Sequence, residues 1–390
     1  MQAVREASIV DVNRPVSVGS AILLGTIGVL SFIIQPGLVQ GFVTELKIGE
    51  AQAVDLAGIE MLGVGLATVV VAILGNRINW RILTALGLGL GVIGNLASIW
   101  TMGGSGFELA RFVAGLGEGA IISLSFTFVG LTRHIDRNVA LYLVLLLSYG
   151  AFGLWFLPTF LRAFGLEGLF AGFAALTAAS FLTLPFLPHS SDDRSGASPL
   201  ARQLGIPMLG IALAAVLAYN MAQGIAWGIL FLVGIDAGHA EQSVADALFL
   251  SQLLAVAGAL SSVFLAEHIG RGQALFVGVF GGAFCIALLL GRPSYATFTV
   301  AVCGFNLLWN FVLPFLLGIV GDFDEQGRMI SPAIAMQMIG LGAGPIIAGR
   351  LIGDGSYRLT ELICIACFIA SYVLLIFPMA AHRRLLRQSA

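Results

Sequence analysis

Residues 265–272, Leu-Ala-Glu-His-Ile-Gly-Arg-Gly, form a short polar turn directly after an apolar segment. Residues 74–81, Leu-Gly-Asn-Arg-Ile-Asn-Trp-Arg, follow an earlier apolar segment in the same way, 191 residues before. Each turn sets an acid or an amide beside a base. Because the separation is close to half of the 390 residues, the repeat predicts a chain built from two similar halves.

Apolar segments of about twenty residues, the length at which an α-helix crosses a hydrocarbon core, extend on both sides of these turns. With 58% hydrophobic and 10% charged residues, the chain has too few polar side chains for a soluble surface. The sequence therefore predicts an all-α membrane protein with twelve transmembrane helices in two pseudo-symmetric six-helix bundles. The predicted spans are 18–42, 51–75, 80–101, 106–131, 138–161, 166–187, 205–234, 244–266, 273–291, 295–321, 329–352 and 357–378.

The longest connection is polar and lies near the middle of the chain, which is typical of a linker between two halves. If the N-terminus is cytoplasmic, the cytoplasmic connections and tails hold thirteen basic residues and the opposite side holds five. The positive-inside rule then predicts a bacterial inner-membrane protein with both termini in the cytoplasm. The predicted regions are an N-terminal tail (1–17), a first bundle (18–187), a linker (188–204), a second bundle (205–378) and a C-terminal tail (379–390).

At its two turns the chain resembles the major facilitator superfamily, whose signature after helices 2 and 8 runs Gly-x-Leu-Ala-Asp-Arg-x-Gly-Arg-Lys. The second turn matches better, because the first has Asn76 in place of the aspartate and Asn79 in place of the second glycine. Residues 111–119, Arg-Phe-Val-Ala-Gly-Leu-Gly-Glu-Gly, are similar to the family's Arg-x-x-x-Gly-x-Gly pattern on helix 4. Residues 340–345, Gly-Leu-Gly-Ala-Gly-Pro, are similar to its Gly-Pro helix 11.

The resemblance covers the whole chain and implies a secondary transporter that works by alternating access. It leaves the solute open, because one fold serves many functions. It also implies that the two turns form a cytoplasmic gate that holds helix ends together in one state. The predicted gate residues are Asn76, Arg77, Arg81, Glu267, His268 and Arg271.

Glu60, Arg111 and Glu118 are the charged residues within predicted spans that we select as functional candidates, because a charge inside a span costs roughly 2.5–3.5 kcal/mol on insertion scales. Glu118 is midway along span 4, flanked by glycines and with no base within a turn, so we expect it to carry the coupling proton. Arg111 is seven residues earlier, about 10.5 Å along the helix, which is too far for direct pairing with Glu118. Glu60 on span 2 is a second proton site or a contact of the outer gate.

The sequence leaves three roles open for Arg111. Glu108, three residues earlier, is its expected ion-pair partner at the helix end. Alternatively, Arg111 binds a substrate carboxylate or relays the state of Glu118.

Most of the remaining polar side chains within spans fall on spans 1, 7 and 10, which line the central cavity in the family together with span 4. Gln35 precedes Pro36 and Gly37, a combination that predicts a local helix break. The alternative is that these amides tie neighbouring helices together. The predicted substrate-binding residues are Gln35, Asn220, Gln223, Trp227, Asn306, Trp309 and Asn310.

The sequence thus predicts a monomeric transporter of a small, partly hydrophobic or aromatic organic solute, coupled to protons and embedded in the lipid bilayer. A symporter of an organic monoanion is the alternative within transport, and a non-transporting membrane sensor is the remote one. No catalytic constellation supports an enzyme, and no cofactor or metal ligand set is recognisable in the sequence. The formal net charge of −2 gives no footprint for nucleic acid.

We predict that the two turns stabilise the outward-open state unequally. Glu267→Gln should shift the population inward more than Asn76→Ala, because a partly desolvated charged pair contributes more than an amide. A change of about 1.4 kcal/mol alters the inward-to-outward ratio roughly tenfold. Distances between cytoplasmic spin labels measure that ratio, and an equal or larger shift from Asn76→Ala would reverse the ranking.

Overall fold

The computed structural model describes residues 10–75, 77–189, 204–265, 268–323, 329–352 and 356–387. Helices form all the regular structure in these ranges, and a short 3₁₀ helix, Ser180–Phe186, follows α7. The α-helices are α1 (Pro15–Ile27), α2 (Leu30–Ile33), α3 (Gln35–Leu46), α4 (Glu50–Leu74), α5 (Trp80–Thr101), α6 (Phe107–Gly130), α7 (Ile135–Ala179), α8 (Ile206–Asp236), α9 (Glu241–Leu265), α10 (Arg271–Ala287), α11 (Tyr295–Asp322), α12 (Ile330–Leu351) and α13 (Arg358–Arg387).

Nine helices within the described ranges are long and apolar enough to cross a membrane. Two shorter apolar helices, Pro15–Ile27 and Arg271–Ala287, accompany them. The chain is a multi-pass membrane protein. Each predicted span overlaps at least one of the observed helices, while the count of twelve and the two six-helix bundles stay predictions.

The first predicted span is three helices rather than one. α1 ends at Ile27, Gly28 and Val29 separate it from α2, and Ile34 separates α2 from α3. Proline explains the second break, because Pro36 has no N–H to donate to the carbonyl of Phe32 and its ring crowds that carbonyl. The break near Gln35 is therefore confirmed, and the interruption at Gly28 is an additional one.

Helix α7 is long enough to contain two predicted spans, 138–161 and 166–187. Gly165, between those spans, has φ +65°, a left-handed conformation that interrupts the helix. Glycine adopts this conformation without a Cβ clash, so the sequence places the interruption here.

The residues form two compact units. The first comprises the described parts of Met1–Ile34, Ile59–Tyr149 and Thr159–Ser195. The second comprises those of Gln35–Gly58, Gly150–Pro158 and Gly196–Ala390. Within the second unit, α3 packs against α8.

Glycines bring the helices of the first unit into backbone contact. A Cβ at Gly115 of α6 would lie 2.0 Å from the carbonyl oxygen of Glu60 on α4, and a Cβ at Gly119 would lie 2.2 Å from that of Val64. On α4, Gly63 is equally close to α6, because its Cβ would lie 2.4 Å from the carbonyl oxygen of Phe112. Close approach through small residues is the usual basis of helix packing in membranes.

Gly115→Ala should therefore disrupt the crossing of α4 and α6, because the added methyl meets backbone that cannot rotate away. We expect a loss of about 1–3 kcal/mol of stability, the usual cost of overpacking. Thermal unfolding of the purified protein measures it. Gly89→Ala on α5, where a Cβ meets nothing within 4 Å, is the matched control and should leave the melting temperature unchanged.

Candidate functional site

The first unit brings the three predicted proton-coupling residues into one buried cluster. Arg111 donates from Nε to Glu60 Oε2 at 3.2 Å and from Nη2 to Glu60 Oε1. Glu118 joins this pair through Ser31, whose Oγ lies 2.6 Å from Glu60 Oε1. The same Oγ lies 2.7 Å and 2.9 Å from the two carboxyl oxygens of Glu118. Five different helices, counting those that hold Arg111 in place, supply the cluster.

Arg111 is completely buried, with 0% of its surface exposed. Its Nη1 donates to Asn95 Oδ1 at 3.1 Å and to Ser98 Oγ at 3.2 Å, both on α5. On a further side, its guanidinium carbon lies 4.6 Å from the ring centroid of Phe170 on α7, a cation–π distance. Nε, Nη1 and Nη2 are thus all engaged within the protein.

The expected pairing of Arg111 with Glu108 is wrong. Glu108 is exposed, and Arg111 turns instead towards Glu60 on the neighbouring helix. A buried guanidinium needs a buried counter-charge, and the glycine-lined crossing of α4 and α6 puts Glu60 within reach.

Ser31 is a member of this cluster that sequence reasoning missed. It is 2% exposed and lies on α2, the four-residue helix between the two interruptions of the first span. The hydroxyl of Tyr149 donates to the carbonyl oxygen of Leu30 at 2.6 Å, which holds this turn in place. A serine hydroxyl inside an apolar span costs little, so the residue type alone does not indicate a functional site. The sequence feature that indicates this segment is the pair of helix-breaking residues on either side of it, Gly28 and Pro36.

The second unit holds the predicted amides of α8, which are buried with part of their hydrogen-bonding capacity unused. Asn220 Nδ2 donates to the carbonyl oxygen of Val216 at 2.9 Å, which fixes the orientation of its amide. Among the described residues, its Oδ1 has no partner, and neither has Oε1 of Gln223. On α3, Nε2 of Gln35 is likewise buried without a described partner. Unsatisfied buried polar atoms are rare and call for an explanation such as a ligand.

On α11 the predicted residues divide between two roles. Asn306 is buried and donates to Ser251 Oγ on α9 at 2.7 Å, so its side chain ties two helices together. Asn310 is half-buried and donates to the carbonyl oxygen of Asn306 at 3.0 Å. Trp309 meets Trp227 of α8 edge-to-face, with ring centroids 5.9 Å apart. The two indoles form an aromatic surface between α8 and α11.

The predicted gate residues are only partly within the described ranges, because Asn76 and Glu267 lie outside them. Arg77 is exposed. Arg81 donates to the carbonyl oxygens of Leu187 and Pro185 at 2.7 Å and 2.8 Å, within the first unit.

In the second unit Arg271 forms an ion pair with Asp322, at the end of α11. The ring of His268 hydrogen-bonds to the carbonyl oxygen of Phe264, one turn back. The acid that faces Arg271 is therefore one that the sequence analysis did not select.

Comparison with solved structures defines the class of fold. The nucleoside transporter NupG matches 93% of this chain and 99% of its own, with a TM-score of 0.71 and 14% sequence identity. The MFS transporter FucP in its outward conformation matches 94% of this chain and 99% of its own, with a TM-score of 0.61 and 17% identity. A second FucP structure, described as the E. coli fucose:proton symporter, matches 93% and 98%, with a TM-score of 0.60 and 16% identity.

The chain therefore has the fold of the major facilitator superfamily transporters, which confirms the resemblance of its turn motifs at the level of fold. No protein-family model matches the sequence, and no curated protein matches it either.

We expect the Glu60–Arg111 pair to be a strong determinant of stability. Arg111→Leu alone leaves a buried carboxylate without its counter-charge and should cost about 3–5 kcal/mol. The double variant Glu60→Leu/Arg111→Leu should cost much less than the two single changes added together, because no charge is stranded. Thermal unfolding of the wild-type protein, the two single variants and the double variant gives the coupling energy. Additive losses of stability would contradict an interaction between the two side chains. Glu108→Gln, which removes an exposed acid on the same helix, is the control.

Proposed function

We propose that the chain is a secondary transporter that couples the movement of a small organic solute to protons through Glu118. The observation that carries the proposal is the charge balance of the buried cluster. Two carboxyls, Glu60 and Glu118, share a site with one guanidinium, that of Arg111. With both carboxyls ionised the cluster has one net negative charge, and binding of one proton brings it to neutrality. Neutrality is favoured because an unbalanced buried charge is costly.

This arrangement favours a coupling role over a purely structural one. A structural ion pair is complete with Glu60 and Arg111, and a second buried carboxyl adds only cost. Glu118 is 5% exposed and sits where α6 meets α2 and α4. Binding or release of a proton by Glu118 changes the charge at the place where these three helices meet. Such a carboxyl is suited to link proton binding to helix movement. The fold supports the transport class, since NupG is described as a nucleoside transporter and FucP as a fucose:proton symporter.

We propose a neutral solute with an aromatic or hydrophobic part. Asn220 and Gln223 offer buried amide oxygens, which would accept from hydroxyl or N–H groups of a solute. Gln35 offers a buried amide N–H, which would donate to a hydroxyl or carbonyl oxygen of the solute. The indoles of Trp227 and Trp309 suit a planar apolar group. Nucleosides combine these properties and are the first solutes to test.

The monoanion alternative receives less support. It assigned a substrate carboxylate to Arg111, but this guanidinium is completely buried and engaged by Glu60, Asn95 and Ser98. Binding a solute there would require those hydrogen bonds to break first.

The arrangement of the whole chain is also part of the proposal. The excess of basic residues on one side supports cytoplasmic termini in a bacterial inner membrane. The internal repeat supports two six-helix bundles, with residues 188–204 as the linker. We propose that the transporter acts as a monomer.

Glu118→Gln should abolish accumulation of solute driven by a pH gradient while leaving solute exchange measurable. The amide keeps the size and hydrogen bonding of the carboxyl but cannot release a proton. Uptake and counterflow of radiolabelled uridine into proteoliposomes measure the two activities. Glu108→Gln is the matched control and should retain both. A Glu118→Gln protein that still concentrates uridine would contradict the assignment.

Alanine substitutions at Asn220, Trp309 and Asn310 should weaken solute binding by about 1–3 kcal/mol each, the range for a buried hydrogen bond or a large aromatic contact. A thermal-shift screen of nucleosides, sugars and aromatic carboxylates at two pH values identifies the class that binds. Gln242→Ala, at a half-buried amide of the second unit that donates to Asp246, is the control. Stabilisation by carboxylates alone would favour the monoanion alternative instead.

A further inference from the structure

The hydroxyl of Ser31 lies between the two buried carboxyls of the cluster and within hydrogen-bond distance of both. Its Oγ is 2.6 Å from Glu60 Oε1 and 2.7 Å from Glu118 Oε1. These are ordinary O–H···O lengths. No cation hydrogen-bonds to Glu118 in the described part of the chain, so the serine hydroxyl is its link to the rest of the cluster.

Counting hydrogens shows that this geometry requires one extra proton. A serine hydroxyl has one hydrogen to donate and two lone pairs to accept with, whereas an ionised carboxylate can only accept. If both carboxyls were ionised, the hydroxyl would donate to one and face the other with oxygen against oxygen. With one carboxyl protonated, that carboxyl donates to Oγ, the hydroxyl donates to the other, and both short contacts are hydrogen bonds.

The position of Arg111 decides which carboxyl holds this proton at rest. Both carboxyl oxygens of Glu60 accept hydrogen bonds from Arg111, whereas no described cation donates to Glu118. Glu118 is then the protonated partner. Among the described residues, the titratable and charged groups that surround the site are Glu60, Glu118, Arg111 and Tyr149, whose hydroxyl donates to the carbonyl oxygen of Leu30.

We infer that Ser31 is a proton relay between Glu118 and Glu60, so that the two carboxyls hold one proton in common. In the transfer, the O–H bond of Glu118 breaks and its proton passes to Ser31 Oγ. At the same time, the original hydrogen of Ser31 passes to Glu60 Oε1. The serine hydroxyl is regenerated, Glu118 becomes ionised and Glu60 becomes neutral. No other reactant is needed.

The transfer changes the interaction of Arg111 with α4. A neutral Glu60 binds the guanidinium less strongly than a carboxylate does, while Asn95, Ser98 and Phe170 keep their contacts with it. The relay thus connects the proton on Glu118 to an ion pair that joins α4 and α6. It rests on the proposed function and specifies how the coupling proton reaches that pair.

The test compares Ser31→Val with Ser31→Thr, two variants of equal shape that differ in a methyl or a hydroxyl group. In proteoliposomes with radiolabelled uridine, Ser31→Val should lose at least tenfold in accumulation driven by a pH gradient and stay within twofold in counterflow. Ser31→Thr should retain both. A purely structural serine would lower counterflow as well. Accumulation by Ser31→Val equal to that of Ser31→Thr would overturn the relay, and so would accumulation driven by sodium in place of acid.

A second arm does not depend on transport. Infrared difference spectra of the purified protein across a pH titration report the C=O stretch of a protonated carboxyl. This band should disappear in Glu118→Gln, shift in Ser31→Val, where its hydrogen bond is lost, and keep its position in Ser31→Thr. An unshifted band in Ser31→Val would overturn the relay even if the wild-type protein transports uridine.

The two arms separate failure of the relay from failure of the proposed function. Wild-type protein that shows no acid-driven accumulation of any solute found in the thermal-shift screen contradicts the proposed function, and the infrared arm then still decides whether the hydroxyl bridges the carboxyls. If Ser31→Val does not fold, Ser31→Ala replaces it. That variant removes the hydroxyl without adding volume and should behave as Ser31→Val does in both arms.

Discussion

The ion pair between Glu60 and Arg111 is the interaction on which the rest of the first unit depends. A guanidinium with no exposed surface can be held in a membrane-embedded bundle only if its charge and its N–H groups are satisfied. Glu60 supplies the counter-charge, while Asn95, Ser98 and Phe170 satisfy the remaining sides. The glycines along the crossing of α4 and α6 serve the same pair, because without them the two backbones could not approach closely enough.

The two units differ in the chemistry that they bury. The first buries charge, concentrated where α2, α4 and α6 meet. The second buries neutral amides and indoles on α8 and α11, with unused hydrogen-bonding capacity at Asn220 and Gln223, together with the carboxyl of Glu361. In the proposed function, the charged cluster serves proton coupling and the amides and indoles contact the solute, so the two tasks would lie on different helices.

The sequence predicts these features unequally, for physical reasons. Apolar segments predict membrane helices because insertion into lipid depends on composition and length. Glu60, Arg111 and Glu118 are recognisable as candidates because a charge inside a span is costly. The partner of Arg111 is not predictable in this way, because pairing across helices depends on packing between residues 51 apart in the chain. Ser31 is not recognisable in this way, since a serine hydroxyl inside a span can hydrogen-bond to a carbonyl of its own helix and therefore costs little. Asn306 has the residue type of a binding group but ties α11 to α9.

Because the first span is interrupted, the segment that holds Ser31 and the long helices that hold the two carboxyls differ in how fast they can move. Glu60 and Glu118 sit on long helices whose backbones touch at Gly115 and Gly119, so displacing either carboxyl requires collective motion, on the order of microseconds to milliseconds. Ser31 sits on a single helical turn with an irregular residue at each end, held by the hydrogen bond from Tyr149 and by those of its own hydroxyl to Glu60 and Glu118. Reorienting such a segment takes roughly nanoseconds to microseconds. Under the proposed relay, the hydrogen bonds from Ser31 to the two carboxyls would therefore open and close many times during one rearrangement of the helices, and proton occupancy would reach equilibrium before the bundle moves.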